Sequence, residues 1–104
     1  MAGDLAKMMK QAQKLEKRLA SVRESLEEMT VEGTAGGGAI TVTMNGQRDV
    51  MSISIDPSVL EDADNELLED LLLSQLWGAK QKSDELAQRE MAKVTGPAMP
   101  GAMR

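Results

Sequence analysis

Four lysines recur at helical spacing near the start of the chain: Lys7, Lys10, Lys14 and Lys17. Their steps of three, four and three residues would place all four on one side of a helix. A row of ammonium groups can contact successive phosphates of a nucleic acid without reading its bases. The solvent-facing side of an ordinary amphipathic helix can carry the same row. The spacing alone therefore leaves a phosphate-binding surface and a plain solvated surface both open.

Catalysis and metal binding find little support in the other residues. The chain has no His and no Cys, so the usual general base near neutral pH and all thiolate chemistry are excluded. A cluster of carboxylates could suggest a divalent-cation site, but it lacks the ligand spacing and the glycine of a calcium loop. Helix capping explains the cluster better, and we expect no enzyme, cofactor or metal. The cluster consists of Glu61, Asp62, Asp64, Glu66, Glu69 and Asp70.

The run Gly36–Gly38 is a weak signal for a phosphate-binding loop. Such a loop normally opens a helix and carries a lysine, whereas a strand pattern follows here and no basic residue is near. The run is better interpreted as a strand connector or bulge.

Charge is segregated along the chain, although the formal net charge is −5. Residues 1–23 carry six basic and two acidic side chains, residues 24–70 one and twelve, and residues 71–104 five and three. A polyanion is therefore a possible partner of the two basic ends despite the acidic total.

The elements that must position these charges begin with a long helix over roughly residues 4–29. Its apolar residues step by three and four without a break, and we call this row the heptad seam. A helix of this length measures ~40 Å, more than a small domain covers, so the seam needs another helix from this chain or from a partner. The seam consists of Leu5, Met8, Ala12, Leu15, Leu19, Val22, Leu26 and Met29.

A period of two replaces the helical period after the first helix. Ile40, Val42 and Met44 alternate with threonines, and a second alternating run ends at Ile55. Asn45-Gly46 between the runs is the dipeptide favoured in a two-residue type I′ hairpin. Residues 30–35 supply a third, weaker strand, which gives an antiparallel sheet of three strands.

A second long helix is predicted from a cap at Asp62 or Asp64 to about Val94. The first half of this helix has more apolar residues than one apolar face can hold, so we expect it to be buried on two sides. Trp77 is then a core or dimer-interface residue, since a base-stacking surface would want several aromatic side chains. Residues 1–94 form one domain, and residues 95–104 are expected to be a disordered tail.

Topology suggests how the two basic ends could meet. If the long helices are antiparallel neighbours, the end of the second helix lies beside the start of the first. The four cations near that end would then approach the basic residues of the first helix. The four are Lys80, Lys82, Arg89 and Lys93.

Several short segments of the chain are distinctive when taken together. They are Met-Met-Lys-Gln-Ala-Gln-Lys over residues 8–14, Val-Glu-Gly-Thr-Ala-Gly-Gly-Gly over 31–38, Asn45-Gly46, Ile55-Asp56-Pro57, the acidic, leucine-rich second helix and Thr95-Gly96. In this order they resemble the YbaB/EbfC family of bacterial nucleoid-associated proteins. The resemblance covers nearly the whole chain.

This resemblance implies an α-β-β-β-α subunit and a homodimer with paired helical arms, likened to tweezers. It implies binding to double-stranded DNA with a change in DNA conformation, in the cytoplasm and on the nucleoid, without catalysis. A protein–protein scaffold that uses the heptad seam is the alternative. The DNA contacts would map onto Lys7, Lys10, Lys14, Lys17, Arg18, Arg23, Lys80, Lys82, Arg89 and Lys93.

Overall fold

Two long helices and a three-stranded antiparallel sheet make up the computed structural model, which describes residues 2–33, 38–62 and 64–96. The order is α1 (Ala2–Glu28), β1 (Thr30–Gly33), β2 (Ile40–Asn45), β3 (Val50–Ile55), α2 (Pro57–Asp62) and α3 (Asn65–Thr95). The α+β class and the order of the long elements are confirmed. Thr34 and Ala35 of the predicted first strand, and residues 97–104 of the predicted tail, lie outside the described residues. The first two residues of that predicted tail are ordered, since Thr95 is the last residue of α3 and Gly96 caps it.

The sheet has the order β1-β2-β3, so β2 is its central strand. Side chains alternate between its two faces, as the period of two requires. Ile40, Val42 and Met44 of β2 are buried on the face that carries α3. Thr41 and Thr43 point to the opposite face, which is polar.

The connection between β2 and β3 is longer than the predicted two-residue turn. Asn45 donates its backbone N–H to the carbonyl of Asp49, and the positive φ of 69° falls on Arg48, not on Asn45 or Gly46 as a type I′ turn demands. The Asn45 side-chain oxygen accepts the backbone N–H groups of Gln47 and Asp49, which fixes this wider loop. A register shift between Thr43 and Met44 accompanies it, since Thr43 pairs with Ser52 and Met44 with Val50. The predicted hairpin is confirmed, but the prediction of a two-residue type I′ turn is wrong.

Helix α3 crosses β1 and β2 through a line of small or polar residues. Gln75, Ala79 and Ser83, at steps of four, are its buried residues. Ala79 packs with Val42 and Met44 in the core. The helix approaches β1 so closely at Gly33 that a Cβ there would overlap the backbone carbonyl of Gln75. Glycine at this position therefore lets the strand and the helix meet.

The boundaries of the C-terminal helices follow from capping. Asp64 accepts the backbone N–H of Leu67 at 2.8 Å, which confirms one of the two predicted caps. The short helix α2, which the sequence did not predict, begins after Asp56, whose carboxylate accepts the N–H of Ser58 at 3.0 Å. Gly96, with φ 78°, ends α3.

The prediction that the first half of this helix is buried on two sides is wrong for the single chain. Leu67, Leu73 and Trp77 are 49%, 54% and 61% exposed. Trp77 is therefore not a core residue. The reason is that α3 packs mainly against β1 and β2, so no described helix or strand covers these side chains.

Candidate nucleic-acid interface

Helix α1 projects from the rest of the molecule. The residues from Gly3 to Arg18 are all exposed, and Leu26 is the one buried residue among those of α1 whose burial is described. A helix of 27 residues is about 40 Å long, and the whole molecule extends 72 × 28 × 17 Å. We call residues 3–18 the arm.

The base of α1 is fixed by the β2–β3 connection. Gly46 donates its N–H to the carbonyl of Leu26 at 2.8 Å, and a Cβ on Gly46 would lie 2.9 Å from the same oxygen. Gln47 donates its side-chain amide to the carbonyl of Arg23 at 2.7 Å. The carbonyl of Leu26 is one of the last four of α1, which a helix leaves unpaired at its end, and the bond to Arg23 adds a second attachment one turn earlier.

Asn45 joins both long helices at this point. Its side-chain amide donates to the carbonyl of Glu27 in α1 at 3.3 Å, and its own carbonyl accepts the hydroxyl of Ser83 in α3 at 2.8 Å. Asn45 is 3% exposed and Ser83 is fully buried. The sequence predicts only a turn at Asn45, because nothing in the local pattern shows which helices a turn will contact.

The two long helices run antiparallel beyond this junction. Leu19 and Val22 of α1 are half-buried, as are Met91 and Val94 of α3, whereas Leu15 is exposed. The last turns of α3 therefore lie beside the middle of α1 and not beside its start, so the prediction that the end of the second helix meets the start of the first is wrong. α1 extends further past the junction at Asn45 than α3 does, so no part of α3 lies beside the start of α1.

The basic residues predicted for DNA contact fall into separate groups. Six lie along α1, exposed, and none of them forms an ion pair within the described part of the chain. Arg89 and Lys93 lie on the part of α3 beside α1, where Lys93 contacts Glu90 at 2.6 Å. The six are Lys7, Lys10, Lys14, Lys17, Arg18 and Arg23.

Lys80 and Lys82 lie beside the sheet, away from the arm. Lys82 donates to the carbonyl of Glu32 in β1 at 2.8 Å. The Lys80 ammonium lies 5.3 Å from the centre of the Trp77 ring, within the range of a cation–π contact. Arg48, which was not among the predicted site residues, is a third cation beside the sheet and pairs with Asp84. The structure thus separates the sheet-level cations from those of α1.

Acidic side chains gather at the opposite end, around α2 and the start of α3. Within residues 2–33, 38–62 and 64–96, no group of three or more carboxylates is close enough to hold a metal ion. The backbone N–H and hydroxyl of Ser58 hold the pKa of Asp56 below its ordinary value by hydrogen bonding to the carboxylate. Of the glycine run, only Gly38 is described, with φ 84°; the phosphate-loop interpretation otherwise concerns residues outside the described ranges.

An apolar surface remains open between α3 and β3. Ile53 pairs with the buried Val42 on the same face of the sheet, yet it is 49% exposed because α3 does not cover β3. Leu73 and Trp77 border a nearby cavity of about 240 Å³, which also touches Met44. We call these residues, together with Val50, the α3–β3 surface.

The chain is similar to proteins of a known DNA-binding family. The model of the YbaB/EbfC DNA-binding family matches residues 1–98. A nucleoid-associated protein of Acetivibrio thermocellus is 43% identical over 94 residues, which cover 90% of this chain and 83% of the relative. A nucleoid-associated protein of Chloroflexus aurantiacus is 47% identical over 89 residues, which cover 86% and 89%.

A solved structure shares the fold. The crystal structure of an uncharacterized protein from Helicobacter pylori superposes with a TM-score of 0.76 at 22% identity, covering 88% of this chain and 96% of that one. Among the described helices, none has a sufficiently long and hydrophobic stretch to span a bilayer.

Proposed function

The chain belongs to the YbaB/EbfC DNA-binding family, and from this premise we propose that it is a nucleoid-associated protein that binds double-stranded DNA through the phosphates. It acts in the cytoplasm, on the nucleoid, as a homodimer that changes the conformation of the DNA by contact and not by catalysis. The observation that carries the proposal is the exposed row of cations on α1. Exposed cations without ion pairs can neutralise phosphates and release their counterions without first breaking bonds within the protein.

The position of these cations supports phosphate contact over base reading. The row follows the outside of a projecting helix, so it can lie along a DNA backbone without insertion of the sheet into a groove. Arg89 and Lys93 extend the same basic region from α3. Lys80 and Lys82, on the level of the sheet, contribute less to this contact because they lie away from the arm.

Homodimer formation is supported by the α3–β3 surface. β3 is an edge strand, and the apolar residues beside it are exposed in the single chain although they point to the core side of the sheet. Contiguous exposed apolar surface of this kind marks protein–protein contacts. A second copy of the same surface would cover it symmetrically.

The DNA proposal is tested by fluorescence anisotropy on a random-sequence duplex at two salt concentrations. The slope of log K against log salt concentration should become less steep by ~0.9 for each phosphate that is no longer neutralised. Replacing Lys10 and Lys14 by Glu on both arms of a dimer should therefore reduce its magnitude by about 3.6. Lys80→Glu changes the total charge as much as Lys10→Glu does and is its matched control. It should weaken DNA binding less than Lys10→Glu. Binding that ignores salt or survives the double reversal would instead support a scaffold that uses the exposed part of the heptad seam.

The dimer is tested by sedimentation at micromolar concentration. Ile53→Asp places a charge on the α3–β3 surface and should yield monomers with an unchanged circular dichroism spectrum, since this side chain is half exposed. Ser54→Asp is the matched control, because it adds the same charge to the opposite face of the same strand. A stable monomer in the unmodified protein, or dissociation by Ser54→Asp alone, contradicts the proposed interface.

A further inference from the structure

The arm carries an apolar row that the rest of the described chain does not cover. Leu5, Met8 and Leu15 are 61%, 65% and 43% exposed, and Ala12 is exposed between them. They continue the heptad seam whose later members contact α3 and the sheet. α3 ends at Thr95, beside the middle of α1, and so does not reach them.

We propose that the arm binds the arm of a second copy of this chain in antiparallel orientation, as a contact separate from the α3–β3 surface. The inference goes beyond the proposed function but rests on it for the role of the arm. A two-fold axis beside residue 10 places Leu5 opposite Leu15 and Met8 opposite Ala12. Both pairings occur again on the other side of the axis with the two copies exchanged, as two-fold symmetry requires. The large Met8 side chain meets the small Ala12.

Charge complementarity selects this orientation. The residues that flank one side of the row are Asp4, Gln11 and Arg18, spaced by seven. In the antiparallel register, Asp4 approaches Arg18 of the second copy twice, and the two Gln11 amides meet at the axis. A parallel pair would instead bring Arg18 close to Arg23 of the other copy, which is repulsive.

The other flank and the outer side agree with the same register. Met9, 57% exposed in the single chain, meets its counterpart across the axis and gains cover. Lys7, Lys10, Lys14 and Lys17 occupy positions remote from the row. The pairing therefore leaves the four lysines free to contact phosphates while two arms are joined.

The consequence is an assembly of dimers on DNA. Two distinct two-fold contacts on one chain generate a linear array, so arms of different dimers link neighbouring dimers. The overlap spans residues 4–18, ~22 Å of helix, which is short for a stable pair in water. DNA that holds two dimers close together raises the effective concentration of their arms and so strengthens the contact.

Disulfide trapping tests the pairing, since the unmodified chain has no cysteine. Gln11→Cys places a thiol at the two-fold axis, whereas Gln13→Cys, the matched control, places it on the outer side of the same helix. With DNA present, Gln11→Cys should cross-link at least ~tenfold faster than Gln13→Cys. Adding Leu15→Asp to Gln11→Cys should abolish that advantage. After removal of the DNA, the native mass should correspond to four or more chains.

Other results would contradict the proposed pairing of arms and leave the proposed DNA-binding function unaffected. Equal rates for the two thiols, or no effect of Leu15→Asp, would show that the arms only collide. A cross-linked particle of two chains would show that the arms do not join different dimers. Salt-dependent DNA binding of the reduced variants, measured in parallel, tests the proposed function by itself.

Discussion

Two glycines at the contact between β1 and α3 should respond in opposite directions to the same substitution. A Cβ on Gly33 would lie well under 3.0 Å from the backbone oxygen of Gln75 and 3.2 Å from the backbone nitrogen of Ala79. Neither obstacle can rotate away, because both belong to the backbone of a helix. A Cβ on Gly78, by contrast, would lie 3.9 Å from the Cα of Gly33, an ordinary van der Waals distance.

The magnitudes follow from these distances. Overpacking costs ~1–3 kcal/mol, and the backbone overlap places Gly33→Ala near the upper end, a decrease of about 3 kcal/mol in the free energy of unfolding. Gly78→Ala should gain about 1 kcal/mol, since alanine is the better helix former. With a urea slope of ~2 kcal/mol/M, the midpoints move by about −1.5 M and +0.5 M.

Urea unfolding followed by circular dichroism measures both changes. One fixed chain concentration is needed, because dimer formation would add a concentration-dependent contribution to stability. Gly3→Ala serves as a control in open space, with no atom within 4 Å of its Cβ. A midpoint for Gly33→Ala equal to or above that for Gly78→Ala would refute the close approach of β1 to α3.

Two further predictions concern hydrogen bonds at the ends of the sheet. Ser83→Ala should cost about 1 kcal/mol in the free energy of unfolding, since it removes the bond to the carbonyl of Asn45, while the exposed Ser21→Ala should cost nothing; chemical denaturation compares them. Titration by NMR should find the pKa of Asp56 below its ordinary 3.8, and Ser58→Ala should raise it by removing the hydroxyl bond. Because this pKa is lowered on folding, the associated stability is present above the unfolded value and is lost as pH falls through the folded one; an unshifted pKa would contradict the capping bond.

The junction at Asn45 connects stability with the proposed function. One buried side chain and its carbonyl contact α1, the β2–β3 connection and α3, so the direction of the arm is set by the same bonds that close the sheet. The cations of α1 then follow a rigid helix from a fixed base. Loops that carry cations would hold them less precisely.

Local pattern was sufficient to predict the two long helices and the strands of this protein. Apolar steps of three and four define α1, alternation defines β2 and β3, and Asp64 marks the start of α3, because each signal depends on neighbours a few residues away. The basic row of α1 could be found in the same way. The short helix α2 was missed, since six residues give too little periodicity.

Tertiary structure decided what those elements contact. The sequence could not show that α3 covers β1 and β2 but leaves Ile53 and Trp77 exposed, or that Asn45-Gly46 is used to fix the base of α1. It also could not show that α3 ends beside the middle of α1. Relative helix lengths and crossing positions depend on packing between residues far apart in the chain, whereas the periodicity of one segment reports only on its own faces.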